Sequence, residues 1–225
     1  MKLSRLWAAP VIVVVGFCLM MLLGLARPSL HTTMFTIGMY ALIALPLGLI
    51  YGQGGTISLA QGSFAALGAY TSAILSTRYG VPPLLVLIPA MLFPAVVAFV
   101  IARPILRLPE LSLALVTLSF STVVAVGLQR GGSFTGSFVG LSGVPPLPFV
   151  GRDPVLVAIA LWLAVLALVV LYSHFVRSSR GRALNAIRVD RLLAESMGVR
   201  VPVDLSVLFA LAAAVAGLAG WFYVH

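Results

Sequence analysis

A few neutral polar side chains stand out in an otherwise apolar chain: Gln53, Ser58, Gln61 and Ser63 crowd one short stretch, and Thr117 follows further on. Amides and hydroxyls donate and accept hydrogen bonds without titrating near neutral pH, so their chemistry is recognition of polar groups and not proton transfer. Stronger chemistry has no residues to carry it. Lys2 is the sole lysine, which excludes a Gly-rich phosphate loop with its Lys and any ATP hydrolysis of that kind. No His-x-x-x-His, no Gly-x-Ser-x-Gly and no paired carboxylates within an apolar run are present, so no catalytic group is visible. Cys18 is alone, leaving no disulfide framework and no cysteine metal site. The reading is a non-enzymatic protein without a cofactor or metal.

The elements that must position these residues follow from composition. Of 225 residues 61% are apolar, against 14 Lys and Arg and five Asp and Glu, too few charges to build a water-exposed surface. Apolar runs long enough to cross hydrocarbon extend over Leu6 to Ala26, Met34 to Ile50, Ile57 to Leu75, Leu84 to Ile101, Leu111 to Leu128, Val155 to Phe175 and Leu205 to Val224. The expected fold is all-α, a single transmembrane domain over residues 1–225 with about seven spans. The first run is long for a signal peptide and has no clear cleavage site before Arg27, so it reads as a retained span.

Alternation from an inward N-terminus places Lys2, Arg5, Arg103, Arg107, Arg177, Arg180, Arg182, Arg188, Arg191 and Arg200 inside. Only Arg27, Arg78, Arg130 and Arg152 then lie outside. That asymmetry is the orientation signal of a plasma-membrane protein with a cytoplasmic N-terminus. The +9 balance is spread over loops, as suits anionic membrane lipid, and does not form the continuous basic face that nucleic acid would need. No ionisable residue lies well inside a span, which argues against a proton- or ion-coupled carrier.

Three segments carry more. Gly52 to Tyr70 is dense in small residues, and its clustered glycines predict a broken or re-entrant helix near residues 52–75. Ser58, Gly62 and Ala66 recur at every fourth position, as at close helix contacts. Polar Gln53, Thr56, Ser58, Gln61 and Ser63 should face either a helix interface or an aqueous path. Pro46, Pro89 and Pro94 sit inside spans and predict kinks. The loop from Thr135 through Gly136, Gly140, Gly143, Pro145 and Pro146 to Pro148 favours turns, and serves either as a connector or as a contact or lid at the outer side. Within residues 176–204, Arg180 to Gly198 reads as two short helices. Ala183, Leu184 and Ile187 share one face, Val189, Leu192, Leu193 and Ser196 another, with Asp190 as N-cap and Gly198 just past the end. Such an apolar knob with a basic collar fits the groove of a cytoplasmic partner, or else rests on anionic headgroups.

Taken together, these segments resemble the permease subunits of branched-chain amino acid ABC importers, of the LivM type. Gly52 to Tyr70 is similar to that family's Gly-x-x-Gly-x-x-Ser-Leu-Gly-His/Gln pattern ending in Gly-Ala-Tyr, with Ala60 in place of a Gly. Thr135 and Gly136 through Gly140-Leu-Ser-Gly-Val-Pro145 resemble its outer loop, with Ser137 a departure. Arg107, Leu108, Ala114, Thr117 and Leu118 are similar to its Arg-Leu run, where Glu110 and Ser112 replace Gly and Tyr. Ala194-Glu-Ser-Met-Gly198 stands at the place of its coupling-loop core. Family members continue through further spans beyond the Ala- and Gly-rich helix at Leu211 to Tyr223, so the chain reads as C-terminally short.

The resemblance implies one pore-forming half of an importer. It pairs with a second permease subunit, two cytoplasmic ATPase subunits and an extracytoplasmic substrate-binding protein. It further implies coupling to the ATPases through Arg182, Ile187, Arg188, Leu193, Ala194, Glu195 and Gly198, and a substrate path past Gln53, Ser58, Gln61, Ser63 and Thr117. The solute would be a branched-chain or other hydrophobic amino acid. Urea, short amides or another small neutral solute, a passive channel, and a non-transporting scaffold subunit are the rival readings.

Overall fold

A computed structural model describes residues 16, 31–106, 108–137, 140–148, 151 and 153–225. The first expected span lies outside the described residues apart from Gly16, as do Arg27, Arg107 and Arg152. The helices are α1 (His31–Gly54), α2 (Gln61–Arg78), α3 (Pro83–Ile105), α4 (Glu110–Arg130), α5 (Pro154–Arg177), α6 (Ser179–Val189), α7 (Arg191–Ser196) and α8 (Val201–Val224). A single 3-10 turn, Gly132–Phe134, follows α4. Five of these, α1, α3, α4, α5 and α8, are long and apolar enough to cross a membrane. Helix α2 carries Gln61, Ser63, Thr71, Ser72, Ser76 and Thr77 and is less apolar; it lies largely inside the bundle. The expected third run therefore starts later than Ile57, because residues 55–60 are not helical, and continues to Arg78.

The helices alternate in direction between two ends. At one end gather the C-termini of α1, α3 and α5, the pair α6–α7 and the start of α8, around a core of Ile50, Leu106, Leu113, Leu184, Ile187 and Leu205. At the other, the Trp221 indole donates to the Pro83 carbonyl at the start of α3 (2.9 Å) and the Trp162 indole to the Met34 carbonyl near the start of α1 (3.1 Å). There Arg78 bonds the Ser133 carbonyl and covers the Phe134 ring, joining the end of α2 to the 3-10 turn. His225 lies beyond α8 at that same end, between the Ser72 hydroxyl (2.7 Å) and the Pro145 carbonyl (2.8 Å) of the Gly- and Pro-rich loop. A neutral ring must hold its proton on Nδ1, since the carbonyl can only accept. Burial pushes the imidazole below its ordinary value, and the bond to Pro145 opposes that.

Helix α8 is the central post, with α1, α2 and α3 packed around it and α5 lying outside on α1. Lipid tails are as apolar as leucine, so burial alone does not drive helices together in a bilayer; close backbone approach does. Small residues make that approach possible. A Cβ added to Gly217 would meet the Ala90 carbonyl oxygen at 2.3 Å, and one on Gly220 would meet that of Ala65 at 2.0 Å. From the other side, a Cβ on Gly68 would strike the Gly217 Cα at 2.5 Å. Pro94 has no N–H, so the Ala90 carbonyl has lost its intrahelical donor, and this freed carbonyl is the one lying against Gly217. Pro94 and Ala90 are buried there, so the proline releases an acceptor at the interface.

This corrects the expected small-residue stripe. Ser58 precedes α2, and a Cβ on Gly62 would meet nothing within 4 Å, so Ser58, Gly62 and Ala66 do not form the close contact. The contact is formed one face over, by Ala65, Gly68 and Ala69 against Gly217 and Gly220. Gly217→Val is expected to destabilise the bundle by about 2 kcal/mol or more, because main-chain atoms cannot step aside. Gly62→Ala is expected to be neutral or to stabilise by up to about 1 kcal/mol. Thermal unfolding of both variants in detergent checks the pair.

Candidate coupling element and helix break

Two features meet at the basic end of the bundle: the pair α6–α7 and the interruption between α1 and α2. The chain turns sharply from α5 into α6 around Ser178, whose hydroxyl accepts from the Gly181 N–H (3.2 Å). Gly181 is required there, since a Cβ would meet the Phe175 carbonyl oxygen at 2.3 Å. Asp190 ends α6 and begins α7, its carboxylate accepting from the Leu192 (2.9 Å) and Leu193 (3.0 Å) N–H groups. At the far end of α7, Gly198 takes φ +84° while the Val199 N–H reaches back to the Ala194 carbonyl (3.1 Å). That closure needs the left-handed conformation glycine tolerates.

The two expected faces separate cleanly. Leu184, Ile187 and Ala194 are buried among Ile50, Ala102, Leu106 and Leu205. Val189, Leu192, Leu193 and Met197 point away, Leu192 being 79% and Met197 76% exposed. Beside them lies an open notch of about 450 Å³ lined by Asn185, Ala186, Val189, Asp190, Leu193, Ala194 and Met197. Of the residues assigned to coupling, Leu193 and Glu195 lie on the outer surface, Ile187 and Ala194 inside the bundle, and Gly198 at the closing turn.

Three of the four arginines of this element, exposed at the surface, reach back to main-chain carbonyls. Arg182 donates to the Arg177 carbonyl at the end of α5 (2.7 Å), Arg188 to the Gly52 carbonyl in the last turn of α1 (2.8 Å), and Arg191 to the Leu106 carbonyl just past α3 (3.0 Å). The last carbonyls of a helix lack intrahelical donors and carry the negative end of its dipole, so a guanidinium there satisfies both. The pair is thereby fastened to three membrane helices at once. Arg191 was not among the residues assigned from the sequence. Its signal was the clustering of four arginines within one short element.

The break itself is a six-residue non-helical segment, 55–60, entered through Gly55 at φ +63°. Non-helical backbone between apolar helices needs partners that a helix would have supplied internally. Helix α4 provides them. The Leu59 N–H donates to the Thr117 hydroxyl (3.0 Å), which itself donates to the Ala114 carbonyl (2.9 Å). The Ser121 hydroxyl lies 3.1 Å from the Leu59 carbonyl. Ser121, four residues after Thr117 on one face of α4, was also unassigned.

Gln53, Ser58, Gln61, Ser63 and Thr117 are all buried around this break. Thr117 is fully engaged in holding Leu59. In contrast, Gln53 Oε1, Thr56 Oγ1 and both amide atoms of Gln61 are buried with no hydrogen-bond partner. Among the described residues no group of His, Cys, Asp or Glu could hold a metal ion.

A bundle of apolar helices with an interrupted helix and an anchored pair of helices at its basic end is the architecture of a multi-pass membrane protein. The chain belongs to the family described as branched-chain amino acid transport system, permease component, whose model matches residues 29–225. It is 31% identical over 210 residues to the high-affinity branched-chain amino acid transport system permease protein LivM of Escherichia coli strain K12, covering 82% of this chain and 49% of that protein. The LivM protein of Salmonella typhimurium strain LT2 matches with the same identity and coverage. The chain thus spans about half the length of the curated relatives it matches. No solved structure matches it significantly.

Thr117→Val removes both the acceptor for the Leu59 N–H and a hydroxyl donor, and is expected to cost about 1–3 kcal/mol, the penalty of a buried unpaired group. Thr117→Ser should cost under about 1 kcal/mol. Unfolding midpoints in detergent, with amide exchange at Leu59 as a local probe, distinguish the two.

Proposed function

We propose that this chain is the permease half of an ATP-driven importer for branched-chain or other hydrophobic amino acids, energised by separate ATPase subunits that dock on α6–α7. The observation that carries the reading is the exposed apolar knob of Val189, Leu192, Leu193 and Met197, held out from the bundle by arginines that reach back to main-chain carbonyls. An apolar surface on a rigidly capped two-helix element fits a groove in a protein partner. The end that bears it also carries Arg103, Arg177, Arg180 and Arg200, which supports a cytoplasmic location in the cell inner membrane with the N-terminus on the same side.

The remaining partners are a second permease subunit, which completes a path that these spans do not enclose, and an extracytoplasmic binding protein facing the Pro145 loop. The path itself passes the break, where the unpartnered amides of Gln53 and Gln61 offer donors and acceptors to a polar solute group. Ser58 and Ser63 lie beside them, and Thr117 shapes the wall by fixing Leu59. An apolar amino acid has a side chain that asks no charge of such a path, in keeping with spans whose charged residues lie only near their ends.

The test is reconstitution of this chain with its proposed partners, two ATPase subunits, a second permease and a binding protein, measuring leucine uptake into proteoliposomes. Leu192→Glu and Met197→Glu alter only exposed positions and are expected to lower ATP-dependent uptake by at least about tenfold and to abolish co-purification of the ATPases. Each variant should keep the elution profile of the parent. Leucine flux without nucleotide would overturn the reading in favour of a passive channel, and ATP-driven uptake of urea or short amides in place of leucine would move the substrate class.

A further inference from the structure

We propose that Arg188 is a positioning residue that couples α6–α7 to the break between α1 and α2, so that force applied to the exposed knob arrives at residues 55–60. The inference rests on the reading of α6–α7 as the ATPase-docking element. Both halves of the Arg188 side chain meet the break. Its guanidinium donates to the Gly52 carbonyl (2.8 Å), in the last turn before α1 stops, and its stem covers Gly55, where an added Cβ would lie 3.0 Å from the Arg188 Cγ. Gly55 is the first residue past α1 and takes φ +63°, so the guanidinium and its stem bracket the point where the helix ends.

The other arginines of the element do something different. Arg182 bonds a carbonyl five residues away at the α5–α6 turn, a local closure, and Arg191 bonds the end of α3, which is continuous through its length. Among the described arginines of the pair, Arg188 is the one bonded to the interrupted helix. The far end of the break is held separately, by Thr117 and Ser121 of α4 on Leu59. A short non-helical segment is thus fixed at two points on different elements, one of them on the pair at the basic end.

Between and beside those points, Gln53, Thr56 and Gln61 bury polar atoms with no partner. Buried unpaired polar groups are costly, so this arrangement of the break is the one in which those groups await a solute or a rearranged neighbour. An element with two arrangements is what a mechanical input can bias. Arg188 places such an input at its edge.

The experiment uses the complete reconstituted assembly and reads leucine moved per ATP hydrolysed. In Arg188→Gln hydrolysis is expected to stay within about twofold of the parent while uptake falls about tenfold, so the ratio drops; Arg188→Lys, which can still donate to Gly52, recovers much of it. Arg130→Gln, at the opposite end of the bundle, is expected to keep the ratio within about twofold. A second readout follows maleimide labelling of Thr56→Cys in a Cys18→Ser chain: the rate should differ between ATP-bound and nucleotide-free parent and become the same in both states with Arg188→Gln. If Arg188→Gln does not assemble, Gly55→Ala, which strains the backbone and displaces the arginine stem, is expected to lower the ratio as well. An unchanged ratio in Arg188→Gln or Gly55→Ala, or an equal loss in Arg130→Gln, overturns the proposal while leaving ATP-driven uptake by the parent intact. A parent that moves no leucine with ATP instead overturns the importer reading and this proposal with it.

Discussion

In hydrocarbon a main-chain amide or carbonyl without a partner has no water to fall back on, and that constraint shapes this bundle wherever a helix stops. The stops are numerous at the basic end. There α1, α3 and α5 terminate, and a guanidinium from the short pair α6–α7 meets a carbonyl from each. Where α1 gives way to six non-helical residues, the hydroxyls of Thr117 and Ser121 take over the same duty at Leu59. Guanidinium groups at the helix ends and hydroxyls at the break are alternative answers to one need.

Packing follows a second rule that the bilayer imposes. Since apolar side chains gain little by leaving lipid for protein, the post α8 attracts its neighbours by letting them come close. Gly217 and Gly220 present bare backbone to Ala65, Gly68 and Ala90, and Pro94 turns a carbonyl outward at the same place. Helix α4 has no such surface. It touches the bundle lightly, mostly through α2 and the Leu59 segment, and leaves Leu111, Leu115, Leu118 and Val123 exposed.

Features governed by neighbouring residues were legible in the amino-acid sequence. The glycines from Gly52 to Gly55 announced the break, and Asp190 and Gly198 marked the limits of α7, because caps and left-handed turns depend on residues a few positions apart. The inward and outward faces of α6–α7 were legible from periodicity for the same reason. The small-residue stripe was misplaced since a helix displays small residues on several faces, and which face is used depends on a partner far along the chain. Gly217 and Gly220 sit in a run that reads as Ala- and Gly-rich, with nothing in it to mark which face meets α2 and α3. The targets of Arg188 and Arg191 are carbonyl groups, which every residue owns and no sequence pattern marks. Thr117 stood out as polar in a span, yet its engagement with Leu59 depends on a loop nearly sixty positions earlier.

That the arginines grip main chain and not side chains bears on how such a molecule can diversify. A carbonyl persists whatever side chain its residue carries, so α1, α3 and α5 can exchange side chains without loosening their attachment to α6–α7. The side chains of these helices and the anchorage of the short pair are therefore separable in heredity. One can drift while the other stands still, with Gly55 and Gly181, where bare backbone is required, as the fixed points between them.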